Sequence, residues 1–99
     1  MSKLIYVIQG TTGEYSDRAD WIVCAFKDKE KATSFEQDLT DLSNKYFKSL
    51  EKLDLGYWID FEELPAEVQI IYTDLILLDP KFQMDYTGTS YWVKEIELR

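Results

Sequence analysis

Apolar positions along the chain change period twice, from alternation to a three-four spacing and back. Lys3 to Gln9 is dense in β-branched and aromatic residues, with Leu4, Tyr6 and Ile8 on one side and Ile5 and Val7 on the other. Both faces are largely apolar, as in a strand that is covered on one side and flanked by neighbours. Gly10 to Ala19 holds the turn formers, and Asp20 to Phe26 returns as a second strand, so the first 27 residues predict a β-hairpin.

Asp28 then suits an N-cap and Glu30 the positive end of a helix dipole. Ala32, Phe35, Leu39, Leu42, Tyr46, Leu50 and Leu53 form one stripe on a straight helix, with Gly56 as its stop signal. The step from Tyr46 to Leu50 breaks a strict heptad, which disfavours a coiled coil. Pro65 suits the first turn of a shorter helix over Ala66 to Leu77, closed by Asp79-Pro80. Its apolar residues surround most of the axis, and a strand over Val68 to Tyr72 competes with it. Asp85 to Thr89 reads as a turn and Ser90 to Leu98 as a closing strand.

The expected fold is therefore α+β, one domain over residues 1–99. A three-stranded antiparallel sheet in the order 2-1-3 carries the long helix on one face, with a second, shorter helix. That order makes neighbours of the loop Gly10–Ala19 and the turn Asp85–Thr89, which lie far apart in sequence.

Composition narrows the function. With 45% apolar and 15% aromatic residues in 99, the chain can bury a single core. A net charge of −8 argues against direct grip on nucleic-acid phosphates or an anionic membrane. No apolar run approaches the length of a membrane span, and the first apolar segment is too short for a signal-peptide core. The single cysteine, Cys24, cannot form an internal disulfide, suits a reducing cytoplasm and reads as a small buried hydrophobe. No histidine is present, so the commonest general base and metal ligand is missing. No cofactor is expected.

The candidate motifs are few. Gly10-Thr11-Thr12-Gly13 has neither the spacing nor the lysine of a phosphate loop, and Glu14 would repel an anion. Tyr15-Ser16-Asp17-Arg18 is the most chemically varied stretch. A small hydrolase-like site there would need a base for Ser16, and an exposed aspartate titrates near 4. The structural alternative is a turn in which Asp17 accepts backbone N–H groups and Arg18 pairs with Asp17, Asp20 or the distal turn. No window carries the alternating acids and glycine of a calcium loop.

Charge is unevenly spread. Residues 54–85 hold eight acids, Asp54, Asp60, Glu62, Glu63, Glu67, Asp74, Asp79 and Asp85, against one base, Lys81. The remainder is almost balanced. Tyr57, Trp58, Phe61, Tyr72 and Leu75 to Leu78 lie among those acids, which describes either a solvated face over a core or a surface that anchors and steers a basic protein.

Gly13-Glu14-Tyr15-Ser16-Asp17-Arg18 with Trp21, and Leu78-Asp79-Pro80 with Asp85-Tyr86-Thr87-Gly88-Thr89 and Tyr91, resemble a group of small phage and prophage proteins. In that group Tyr-Ser-Asp-Arg and Asp-Tyr-Thr-Gly-Thr motifs bracket a helical middle. The resemblance implies provenance, and with it residence in a host cytoplasm, rather than a mechanism.

The expectation is a non-catalytic acidic protein that binds a host protein with a basic surface. Inhibition of a nucleic-acid-handling or defence enzyme is the sharper form, since carboxylates spaced like phosphates can occupy a basic groove. The expected partner-binding residues are Tyr15, Ser16, Asp17, Arg18, Tyr57, Trp58, Asp60, Glu62, Glu63, Glu67, Asp85 and Tyr86. Self-association through the second strand, as an edge, is the structural alternative, and a homodimer would form that way.

Overall fold

Two ten-residue strands and one of eight build the sheet in the computed structural model, which describes residues 3–56 and 59–98 and leaves out the Tyr15 side chain. Strand β1 (Lys3–Thr12) lies between β2 (Ala19–Phe26) and β3 (Thr89–Leu98), and both pairings are antiparallel. The order 2-1-3 and the α+β class are as the sequence predicts. Helices α1 (Lys29–Lys52) and α2 (Ala66–Leu78) supply the rest, with 3-10 turns at Tyr15–Asp17 and Phe61–Glu63. No helix among the described residues is long and apolar enough to cross a membrane.

The first strand continues past Gln9, where the sequence placed its end, through Gly10 to Thr12. Gly10 is a turn former by type, yet here it serves a close approach. It pairs with Trp21 on one side and Tyr91 on the other, and a Cβ there would lie 2.6 Å from Trp21 Cε2. Two large rings meet edge to face, 6.4 Å apart, beside a residue with no side chain. An irregularity in the β1–β2 pairing between Ile8 and Gln9 sets this register.

Asp28 caps α1 as expected, its Oδ1 accepting from the Glu30 N–H at 2.9 Å. Ala32, Leu39, Tyr46 and Leu50 of the predicted stripe are buried, Phe35 and Leu42 pack at its margin, and Leu53 is exposed. The stop is not Gly56. Asp54 takes the left-handed conformation at φ 54°, the Leu55 N–H bonds to the Leu50 carbonyl at 2.8 Å, and the Asp54 N–H bonds to the Glu51 carbonyl at 3.1 Å. This is a Schellman motif, and a short polar side chain tolerates the backbone angle better than most.

Residues 66–78 are helix, not strand. The Pro65 carbonyl accepts from Val68 and Gln69, and the first turn is thereby closed. Val68, Ile71 and Leu75 recur at three-four spacing and are buried against α1 and the sheet, while Ile70 and Leu77 face solvent at 64% and 75% exposure. The all-round apolar character of α2 therefore leaves a greasy outer face. Both helices lie on the sheet face that presents Ile8 and Tyr91.

Candidate binding site

Asp79 caps α2, its N–H bonding to the Leu75 carbonyl at 2.8 Å, and its side chain is fully buried. Its Oδ2 accepts from Trp21 Nε1 at 2.9 Å and from the Tyr91 hydroxyl at 2.6 Å, while Oδ1 accepts from the Lys81 N–H at 3.1 Å. The converging Trp21 and Tyr91 rings thus hand both donors to one carboxylate, which ties α2 to β2 and β3. Burial, then the bond to Asp79, pushes the Tyr91 phenol well above its ordinary range. Asp79 accordingly leaves the acidic surface as an internal tie, and with Asp85 half-buried six of the eight acids of residues 54–85 are exposed.

The predicted meeting of distant loops is present. The Thr12 hydroxyl donates to the Gly88 carbonyl at 2.6 Å and accepts from the Asp85 N–H at 3.0 Å. The Gly13 N–H donates to the Thr87 hydroxyl at 3.1 Å, and the Thr87 N–H donates to Asp85 Oδ1 at 2.8 Å. Gly13 has φ 86°, and a Cβ there would collide with the Asp17 carbonyl oxygen. The Asx turn belongs to Asp85 rather than to Asp17, whose own N–H donates to the Glu14 carbonyl. The Thr87 hydroxyl, foremost among its donors, holds the Asp85 carboxyl below its usual range. Arg18 takes Asp20 from among its three possible partners, at 3.0 Å between half-exposed side chains. The nearby Thr11 hydroxyl, whose oxygen completes no hydrogen bond among the described residues, and then Arg18 hold the Asp20 carboxyl low.

Beside this clasp opens a cavity of about 370 Å³. Asp17 and Asp85 line it from the two loops, Phe61 from the acidic segment, and Tyr46, Tyr72 and Phe82 from α1, α2 and the chain after α2. The rings touch one another: Tyr46 and Tyr72 centroids are 5.4 Å apart, Tyr46 and Phe82 5.9 Å, Phe61 and Tyr72 5.9 Å. Burial, then the neighbouring Tyr72 phenol, pushes the Tyr46 phenol up.

The structure brings Asp17 and Asp85 together and sets Asp60, Glu62 and Glu63 on the same short segment as Phe61. Those three acids and Glu67 are exposed, as are Ser16, Arg18 and Tyr86. Arg18 and Glu67 are not in the cavity wall. Tyr57, Trp58 and the Tyr15 side chain lie outside the described residues. Sequence reasoning counted Phe61 and Tyr72 among the aromatics interleaved with the acids without naming them as binding residues, and it missed Tyr46 and Phe82. Tyr46 sits inside an otherwise aliphatic helix stripe, and its hydroxyl was the available signal that this position borders something polar.

Cys24 is half-buried rather than fully so, and burial foremost pushes its thiol up, which leaves it little thiolate at neutral pH. No protein-family model, curated protein or solved structure matches this chain.

Proposed function

We propose that this chain is a non-catalytic binding protein of phage type. It docks a basic surface of a host protein at the end of the molecule where the loop clasp meets residues 59–67. One observation carries the reading: Asp17, Asp85 and Phe61, from three distant stretches of sequence, line a single cavity in whose wall no lysine or arginine stands among the described residues. The exposed Asp60, Glu62, Glu63 and Glu67 extend that negative character outward and would steer a cationic partner. A host enzyme that handles nucleic acid fits, because its groove already selects for arrays of negative charge. Residence in the host cytoplasm belongs to the same reading, supported by one unpaired cysteine.

The test is capture from a host lysate with identification of the partner, followed by binding of the purified pair across a salt series. Wild-type affinity should fall steeply as salt rises. The combined variant Glu62→Lys, Glu63→Lys, Glu67→Lys should lose binding. Unchanged affinity in that variant contradicts the proposal.

A second reading has its own support. Sheet register puts Ile5, Ile22, Trp92 and Ile96 on the face away from the helices, and β2 is an edge strand with Ile22 55% exposed. Pairing of β2 with a second copy would cover part of that surface. Sedimentation giving a monomer at high micromolar concentration removes it.

A further inference from the structure

We infer that the cavity beside the loop clasp receives a guanidinium group, the side chain of an arginine presented by the basic partner; this rests on the binding reading above and names what that site recognises. Four aromatic rings, Tyr46, Phe61, Tyr72 and Phe82, line the space and cross one another at angles between 46° and 79°. Tyr72 touches the other three. Faces of such rings attract cations.

Two polar groups at the cavity, the Tyr46 hydroxyl and the Asp17 carboxylate, have no hydrogen-bond partner among the described residues, whereas Asp85 is already held by Thr87. Tyr46 is only 5% exposed and lines the cavity, yet its hydroxyl bonds to no described residue. The Asp17 carboxylate accepts no hydrogen bond among the described residues, and Asp85 adds a second negative charge at the same opening.

The competing occupants fail on charge and hydration. An anion would meet two carboxylates, with no lysine or arginine among the described lining residues. A neutral apolar group would strip water from those carboxylates and return nothing to them. An ammonium is a strongly hydrated point charge, whereas a guanidinium is planar, more weakly hydrated, stacks on rings and offers several donors in fixed directions. About 370 Å³ admits such a side chain with part of its backbone. The phenol of Tyr46 would accept one of its N–H groups, and Asp17 another.

The experiment is amide NMR titration of the full chain with three probes: N-acetyl-arginine amide, its neutral isostere N-acetyl-citrulline amide, and N-acetyl-lysine amide. Arginine should shift resonances of Asp17, Tyr46, Phe61, Tyr72, Phe82 and Asp85 together. Citrulline and lysine should bind about tenfold or more weakly. Asp17→Asn, on an exposed turn, should weaken arginine several-fold while leaving the spectrum folded, and Glu67→Lys, outside the cavity wall, should act only through long-range charge. Absence of cavity shifts with arginine, or equal binding of citrulline or lysine, overturns the assignment. If the triple charge reversal abolishes partner capture while arginine leaves the cavity untouched, this inference fails and the binding reading stands. If arginine binds and capture survives the reversal, the binding reading fails alone.

Discussion

Asp79 concentrates more of the fold than any other side chain. A fully buried carboxylate receives one indole and one phenol proton, and it also closes the turn after α2. Asp79→Ala strands both donors in the core, and chemical denaturation should register a loss of about 2–5 kcal/mol. Asp79→Asn keeps one acceptor oxygen and should lose less. This role was hidden in the sequence, where Asp79 stands among seven other acids and beside a proline, as a surface helix terminator does. Its two side-chain donors come from the ring row on either side of Gly10, and that row depends on register.

Asp85 acts through the opposite situation, at the surface. Its carboxyl lies below its unfolded value, so its stabilisation is complete above that value, near 4, and is lost as pH falls through the lower folded value. Urea midpoints of wild type and Asp85→Asn should therefore differ most at neutral pH and converge on acidification below pH about 4. Tyr91 works in the other direction. Its raised folded value makes its contribution full below the unfolded value near 10 and lost as pH climbs further.

At the scale of elements, the fold was legible because its signals were periodic and redundant. Seven apolar positions at three-four spacing define α1, and alternation with β-branched residues defines the strands. Chain order then left one economical sheet. Boundaries were less legible, for physical reasons at particular residues. Gly10 marks a close approach rather than a turn, so β1 runs on to Thr12. Gly56 is exposed with nothing near its Cα that a side chain would meet, while Asp54 bears the left-handed angle. Asp54→Gly should accordingly stabilise the protein, by about 0.5–1 kcal/mol in thermal or chemical denaturation, since glycine adopts that conformation without the Cβ cost and removes a negative charge from the helix C-terminus. The helical state of residues 66–78 was ambiguous from β-branched density, and tertiary burial of Val68, Ile71 and Leu75 decided it.

Across the whole molecule, the loop after β1 and the turn before β3 close on each other at one sheet end, and the Phe61 segment is delivered beside them. The neighbouring of Gly13 and Thr87 followed from topology, and the cavity did not, because its aromatic wall is drawn from α1, α2 and the chain beyond. Six acids of residues 54–85 remain exposed after Asp79 is withdrawn into the core and Asp85 into the clasp. Two surfaces therefore compete to be the working one: this charged, ring-lined end, and the uncovered sheet face bearing Ile5, Ile22, Trp92 and Ile96. Amide hydrogen exchange with and without the captured partner separates them directly. The account predicts slowed exchange over residues 59–67 and 85–88, with β2 and the outer face of β3 unchanged. Protection confined to β2 and β3 would contradict it.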